Sequence, residues 1–194
     1  MAFSPSPVPA MWTAHPDPGQ GFTVATPDAW EVATRDSPTF AADLDTVGRH
    51  SPELQRFFKA SLDANPELRL ISADPRSLAH GFANNVNVIS SDLGLGAAAP
   101  TLRELAQAKQ TRLGHESGVK GPVKRAADRL AGHPAERFDY GLKLADQVVS
   151  VRSYLVVLER GGRRASLELT MAAPPDGATG IFDPITRTFN LSGA

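Results

Sequence analysis

Three segments with alternating side chains follow one another in the second half of the chain, and only short turns separate them. Residues 138–142 place apolar side chains at every second position, residues 148–158 are long and rich in β-branched side chains, and residues 167–171 alternate again. The last turn contains two glycines, which suit a tight hairpin. Strands joined by short turns pair antiparallel, because a parallel pair needs a long crossover. The sequence therefore predicts a three-stranded antiparallel sheet.

A capping box marks the start of one helix. Thr101 is followed three residues later by Glu104, and these two side chains can satisfy backbone amides at a helix N-terminus. We therefore expect a helix over residues 101–113. A shorter helix is expected over residues 40–47, and a last helical turn is expected to begin at Asp183, before a proline.

Another helix is delimited at both ends. Ser51 suits the N-cap, Pro52 suits the first helical position, and Asn65 precedes a proline that ends the helix. Apolar side chains recur between these limits at helical spacing. That spacing places at least one of Phe57 and Phe58 in the core.

The remaining strands are short. Residues 22–32 alternate around a turn at Pro27, as in a β-hairpin with one buried face. Residues 68–72 and 84–93 are expected to form two further strands. Residues 123–131 carry conflicting signals, because their alanines and Leu favour a helix by propensity while a Gly-His-Pro sequence breaks it immediately.

This order of elements resembles the PsbP-like superfamily, which includes DcrB-related and LpqN-type bacterial proteins and a Ran-binding nuclear-import factor. The resemblance spans residues 21–191 and is a pattern of hydrophobic positions. It is carried by Gly21-Phe22-Thr23-Val24, Asn85-Val86-Asn87-Val88, Thr101-Leu102-Arg103-Glu104-Leu105, Gly132-His133-Pro134-Ala135 and Ile181-Phe182-Asp183. It implies an α+β fold, an α/β/α sandwich with a central, mainly antiparallel twisted sheet flanked by helices. It also implies that residues 123–131 form a strand. It brings no catalytic residues, because members share a shape and not a function.

The first nineteen residues contain five prolines among small and polar side chains. This composition favours extended, poorly packed chain. We therefore expect residues 1–19 to form an N-terminal tail and residues 20–194 to form a single domain, since the chain is long enough for one core of ordinary size.

The composition of the chain limits the classes of partner that it can bind and the cellular compartments in which it is expected. A net charge of -1 gives no general attraction to nucleic acid. The absence of cysteine excludes disulfides and thiolate zinc sites. The N-terminus lacks the pattern of a secretory signal, and no apolar run is long enough to cross a membrane. We expect a cytoplasmic protein that binds neither nucleic acid nor membrane. Arg exceeds Lys by 15 to 5, a bias typical of GC-rich bacterial genomes.

No group of residues dictates a chemistry. Residues 94–99 resemble a dinucleotide-binding glycine loop, but the strand before them is polar and the next helix starts later, so a flexible loop is the preferred interpretation. The five histidines lack metal-ligand spacing, and no serine lies in a nucleophile elbow. The sequence therefore predicts no catalytic residue, no cofactor and no metal site.

These exclusions favour a non-enzymatic adaptor or chaperone-like module that binds another protein or a second copy of itself. The candidate contact residues are Trp12, Phe57, Phe58, Arg160 and Arg163, because aromatic and arginine side chains dominate interface energetics. Each has a structural alternative, since the tryptophan can cover its own domain, one phenylalanine belongs to the core and the arginines can form a solvated turn. The other hypothesis is a small apolar or lipid-like ligand in a groove between sheet and helices.

Overall fold

The computed structural model describes residues 6–35, 37–95, 98–144, 146–160 and 162–192. Within these ranges the strands are β1 (Trp12–Asp17), β2 (Phe22–Pro27), β3 (Glu31–Thr34), β4 (Leu68–Ala73), β5 (Asn85–Leu95), β6 (Val119–Leu130), β7 (His133–Leu144), β8 (Gln147–Arg160), β9 (Arg163–Ala173) and β10 (Asn190–Leu191). The α-helices are α1 (Phe40–His50), α2 (Pro52–Ala64), α3 (Leu102–His115) and α4 (Ala178–Thr188). This mixture confirms the α+β class.

Seven of the strands form one antiparallel sheet in the order β3-β4-β5-β9-β8-β7-β6. The three alternating segments of the sequence are strands β7, β8 and β9, and each pairs with the next. Phe138 lies opposite Ser153, which lies opposite Thr170. The β8–β9 turn is tight, and Gly162 has a φ of +78° there, a region that glycine enters without steric cost. The predicted antiparallel sheet is confirmed.

The two faces of this sheet are covered by different elements. Side chains alternate along a strand, so Tyr154 and Val156 of β8 lie on one face, here the first face, while Ser153 and Leu155 lie on the second face. The first face is covered by α4 and by a small sheet ordered β1-β2-β10. The second face is covered on one side by α1 and α2 and on the other by α3. Helices on both faces confirm the α/β/α sandwich.

The largest hydrophobic core lies on the first face. Phe182 and Ile185 of α4 are buried in it together with the apolar side of β9. Phe22 of β2 stacks on Phe189 with ring centroids 6.1 Å apart. Burial of a side chain of this size contributes about 1.5–3 kcal/mol. This core therefore holds the small sheet and α4 against the larger sheet.

The caps of two helices are those that the sequence indicates. The Ser51 hydroxyl accepts a hydrogen bond from the Leu54 amide at 3.3 Å, and Thr101 and Glu104 form a reciprocal capping box. The helix expected over residues 40–47 is confirmed as α1, which continues to His50. In the part of the chain that is described, no helix is both long and apolar enough to cross a membrane.

The predicted tail contains a strand. β1 pairs with β2 along its whole length, from Trp12 opposite Pro27 to Asp17 opposite Phe22. The proline content does predict extended backbone, but it does not show that this backbone remains unpaired. Pro16 is tolerated because β1 lies at the edge of the small sheet, where a missing N–H costs no ladder hydrogen bond. The expected boundary at residue 19 is therefore wrong.

The hairpin expected over residues 22–32 is also wrong. β2 pairs with β1 and β10, whereas β3 pairs with β4 in the larger sheet. The turn is present, with the Trp30 amide donating to the Pro27 carbonyl at 2.9 Å. Alternation of side chains marks a strand but does not identify its partner, and here the turn passes the chain from one sheet to the other.

Two further elements depend on tertiary contacts. α4 begins at Ala178, five residues before the expected start at Asp183, and it tolerates Pro184 in its interior because the face around that proline is buried in the core. Residues 123–131 fall mainly in β6, as the family resemblance implied. Pairing with β7 outweighs the helical propensity of their alanines.

The cap of α2 provides a direct test of local stability. Ser51→Ala removes the side-chain acceptor for the Leu54 amide, so we expect a loss of about 1 kcal/mol and a decrease in Tm of about 3 °C. The control is Ser61→Ala inside the same helix, which should not destabilise because alanine is the better helix former. Equal Tm decreases in calorimetry for both variants would contradict the capping role.

Candidate functional site: a polar groove on the second face

An uncovered strip of the second face lies between α2 and α3. On one side stands α3, on the other stands the turn between α2 and β4, and the floor comes mainly from β5 and β9. The space has a volume of about 430 Å³. We call it the central groove. It is lined by Asn65, Glu67, Ile89, Ser91, Leu105, Ala108, Lys109, Arg112, Leu155, Ser166 and Glu168.

The floor of the central groove is polar because of the pleat of β9. Alternation places Leu167, Leu169 and Met171 in the core of the first face, so Ser166 and Glu168 point to the second face. β9 is the middle strand of the seven. Polar side chains on a central strand must find partners or meet solvent, because burying them unpaired is costly. In the central groove this polar stripe is open to solvent, between the apolar cluster under α1 and α2 and the apolar cluster under α3.

Lys109 of α3 reaches this floor and is almost fully buried, with a relative exposure of 7%. Its Nζ donates to Ser153 Oγ at 3.0 Å, lies against Glu168 Oε1, and sits 5.4 Å from the centre of the Phe138 ring. Ser153 and Thr170 each donate a hydroxyl to the same Glu168 oxygen at 3.0 Å. These contacts join α3 to the sheet through a buried, hydrogen-bonded ion pair.

Burial and pairing act in opposite directions on the two charges. Burial lowers the pKa of the Lys109 ammonium, and the Glu168 carboxylate offsets part of this decrease. Burial would raise the pKa of the Glu168 carboxyl, but the charge of Lys109 and the three hydrogen bonds outweigh burial and hold this pKa below its usual value. Glu168 is therefore an anion at neutral pH, and it is the counter-charge of Lys109.

This protonation state bears on chemistry. A serine beside a lysine can act as a nucleophile when the lysine is neutral and accepts the hydroxyl proton. Here Lys109 forms an ion pair with Glu168, and the Ser153 hydroxyl donates a hydrogen bond to Glu168 rather than to the lysine. Nearby Tyr140 has its pKa raised by burial and by the carboxylates of Glu168 and Glu116, so it stays neutral. The arrangement presents charge and hydrogen bonds.

Two polar groups of the central groove remain available. The hydrogen bonds of Glu168 all go to Oε1, which leaves Oε2 without a hydrogen bond among the described residues. Arg112 is exposed at the mouth, and it forms neither an ion pair nor a hydrogen bond within the part of the chain that is described. The groove can therefore offer one acceptor and one cation to a ligand.

Another cavity, about 760 Å³, lies between β1 and β3. Arg69 pairs with Asp17, with Nε and Oδ2 3.6 Å apart. Arg35 donates to the carbonyls of Leu62 and Leu68 at 2.6 and 2.8 Å. These charges hold the two sheets and the end of α2 together, so we assign this cavity a structural role. Within the described ranges, no three His, Asp or Glu side chains are gathered as metal ligands.

No protein-family model matches the chain, and no curated protein matches it in sequence. Solved structures that are similar over most of its length include a mycobacterial and a cyanobacterial protein. LpqN of Mycobacterium tuberculosis, involved in cell envelope biogenesis, is 17% identical with a TM-score of 0.60, covering 93% of this chain and 90% of LpqN. The cyanobacterial PsbP of Synechocystis sp. PCC 6803 is 14% identical with a TM-score of 0.57, covering 94% of this chain and 93% of that protein.

This chain has the PsbP-like fold. The expectation drawn from the pattern of hydrophobic positions is thereby confirmed at the level of fold. Neither similar protein is described as an enzyme. At such low identity the PsbP-like fold transfers a shape and leaves the function to be argued from the residues of this chain.

The aromatic candidates are placed differently from one another in the PsbP-like fold. Phe58 is fully buried under α2 and therefore cannot contact a partner, so that assignment is wrong. Phe57, the preceding residue of the same helix, points away from the core, is 38% exposed and remains a candidate. Trp12 is partly buried and packs on the core of the first face. This is the alternative in which the tryptophan covers its own domain. The helix spacing had placed at least one phenylalanine in the core, which is confirmed.

The arginine candidates lie at the β8–β9 turn. Arg163 is paired with Asp92 of β5, so its charge is already compensated. Arg160 ends β8 opposite Arg163, and its side chain lies outside the described part of the structure. Neither arginine approaches Trp12 or Phe57 in any contact that the structure describes. The candidates chosen from sequence therefore do not form one site.

Sequence reasoning missed the central groove. One signal could have found it, because Lys109 lies four residues after Leu105 and four before Leu113, on the buried stripe of α3. A lysine on an apolar stripe requires a buried partner. The partner, Glu168, lies 59 residues away and looks like an ordinary polar position of an alternating strand.

Trp12 can be tested as a core residue of the PsbP-like fold. Trp12→Ala removes a large, partly buried side chain, so we expect a loss of about 2 kcal/mol in unfolding free energy. The neighbouring Met11 is 80% exposed, and Met11→Ala should change stability little. An unchanged urea midpoint for Trp12→Ala would contradict the structural assignment and return Trp12 to the candidate contacts.

The ion pair of the central groove gives a pH-dependent prediction. Glu168→Gln leaves the buried Lys109 charge uncompensated, so we expect a loss of about 3 kcal/mol at neutral pH in urea unfolding. The pKa of Glu168 lies below its unfolded value, near 4.5, so its contribution is present above that value and disappears as the pH falls through the folded pKa. The difference from wild type should therefore shrink in acid.

The control is the double variant Lys109→Met/Glu168→Gln. It removes both charges, so it should recover much of the stability lost in the single variant. Additive losses, or a difference from wild type that does not change with pH, would contradict the coupling of Lys109 and Glu168.

Proposed function

We propose that this protein is a non-enzymatic binding module that holds a polypeptide segment of another protein in the central groove. The observation that carries the proposal is the open polar strip on the second face, where Arg112 and one oxygen of Glu168 have no intramolecular hydrogen bond among the described residues. Buried ion pairs are poor stabilisers compared with apolar packing, so a function other than stability accounts better for this one.

The chemistry of the groove suits a polypeptide. Peptide groups require both donors and acceptors, and the side chains of Asn65 and Ser166 supply them along the walls and floor. An acidic side chain of the partner would pair with Arg112, and a donor would reach Glu168 Oε2. Ile89 and Leu105 provide apolar contact between these polar groups. This mixed lining is less suited to the apolar or lipid-like ligand of the alternative hypothesis.

Addition of a partner strand to a sheet edge is less favoured. β6 forms one edge, and it carries a register irregularity between Lys120 and Lys124 with Pro122 inside it. Bulges, prolines and lysines are features that prevent edge-to-edge pairing. The other edge strand, β3, has only four residues. The sheet face is therefore the better surface for a partner than the sheet edges.

The test is affinity capture from the native host with quantitative mass spectrometry. Arg112→Glu reverses the exposed groove charge and should reduce recovery of the specific partner about tenfold, the effect of losing a charge-assisted contact worth about 1.4 kcal/mol. Lys59→Glu is the matched control, since Lys59 is exposed on α2 and lies outside the groove. Both variants should melt as wild type does.

A protein recovered equally with wild type, Arg112→Glu and Lys59→Glu would show that binding takes place elsewhere. A photo-crosslinking residue at position 112 that gives no adduct, while one at position 57 does, would move the contact to the exposed face of α2. If this chain is recovered alone and light scattering gives twice its mass, the partner is a second copy of this chain and not another protein.

A further inference from the structure

A basic cavity lies on the first face, away from the central groove. It has a volume of about 490 Å³ and is bounded by β6, β7, β8 and the beginning of α4. We call it the basic cavity. Three cations line it, Lys120, Lys124 and Arg152, together with a single carboxylate, Asp139. Its remaining walls include Phe182 and Pro122.

The irregularity of β6 brings the two lysines together. Lys120 lies opposite Gly141, and Lys124 lies opposite Asp139. Residues four apart on β6 therefore face residues only two apart on β7, a spacing of about 7 Å along a strand. Gly121, with a φ of +73°, permits this bend. Bulges of this kind re-aim side chains and are frequent beside functional sites.

Arg152 is paired with Asp139 and, at 2.8 Å, with Asp183, whereas the charges of the two lysines are not balanced from within the basic cavity. Asp139 already accepts hydrogen bonds from Arg137 at 2.8 Å and Arg152 at 2.7 Å. Lys120 reaches only the Ser117 carbonyl, at 3.3 Å, and Lys124 has no ion pair or hydrogen bond within the described residues. Like charges held close together repel, so two unpaired ammonium groups at one cavity favour an anion between them.

The aromatic wall adds a second element of recognition. The Phe182 ring is 97% buried and lies 5.6 Å from the Arg152 guanidinium carbon. Pro122 lies beside it at the cavity. Apolar walls lower the local dielectric and strengthen attraction between the lysines and an anion. The cavity thus combines a cationic rim with an apolar wall.

We propose that the basic cavity binds a phosphate group, with Lys120 and Lys124 as its charged contacts and the Phe182 wall against the organic part of the ligand. This site is independent of the central groove, because the two lie on opposite faces of the sheet. Soluble molecules and lipid headgroups both carry such a phosphate group, and the experiment separates these two sources.

The experiment is calorimetric titration of the purified full chain with inorganic pyrophosphate at low ionic strength, with sodium chloride of equal ionic strength as reference. Wild type should bind with a saturable isotherm. Lys120→Gln/Lys124→Gln should weaken binding at least tenfold. The matched control, Arg56→Gln/Lys59→Gln, removes two exposed cations from α2 and should bind as wild type does. The four substituted side chains are exposed, so both variants should fold, and calorimetric melting checks this.

Flotation with vesicles identifies the source of the phosphate. Binding to phosphatidylglycerol vesicles but not to phosphatidylcholine vesicles, lost in Lys120→Gln/Lys124→Gln, assigns a lipid headgroup. Saturable pyrophosphate binding without flotation assigns a soluble phosphate ligand. No saturable binding of pyrophosphate and no flotation, or equal weakening by both double variants, overturns the proposal.

Discussion

The pleat of β9 determines both what holds this molecule together and what it presents to solvent. Leu167, Leu169 and Met171 enter the core of the first face, and the alternate residues Ser166 and Glu168 form the polar floor of the central groove. A shift of pairing by one residue would exchange the two sets and bury the charges in the core. The long hydrogen-bonded ladders that join β5, β9, β8, β7 and β6 hold this register. A change of register would therefore disrupt the core and the central groove at the same time.

The buried pair of Lys109 and Glu168 is the point where stability and recognition meet. It docks α3 on the sheet, but the desolvation of two charges consumes much of what their attraction contributes. An apolar pair would serve docking as well or better. The ion pair is explained if a polar surface is needed beside α3. It keeps the floor of the central groove charged, while Phe138 and Leu155 pack around the ion pair.

Neighbouring residues of β8 serve opposite faces of the sheet. Ser153 hydrogen-bonds Lys109 and Glu168 of the central groove, and Arg152, one position earlier, lines the basic cavity. A single strand therefore supports two chemically different surfaces about one sheet thickness apart. LpqN and the cyanobacterial PsbP have the same layered shape at less than 20% identity. Such a scaffold can carry different sites because side chains on its faces change without changing the ladders.

Local signals in the sequence determined the elements of this protein: the caps at Ser51 and Thr101, the alternation of β7 to β9, and the class of fold. They act over a few residues, where the free energy depends on nearby chain. Only the tertiary structure decided that β1 is a strand, that β2 and β3 lie in different sheets, and that Lys109 meets Glu168. Those outcomes depend on contacts between segments that are distant in sequence. The free energy of such a contact depends on both segments together, so neither segment alone predicts it. The fold was therefore largely predictable, whereas the central groove was not.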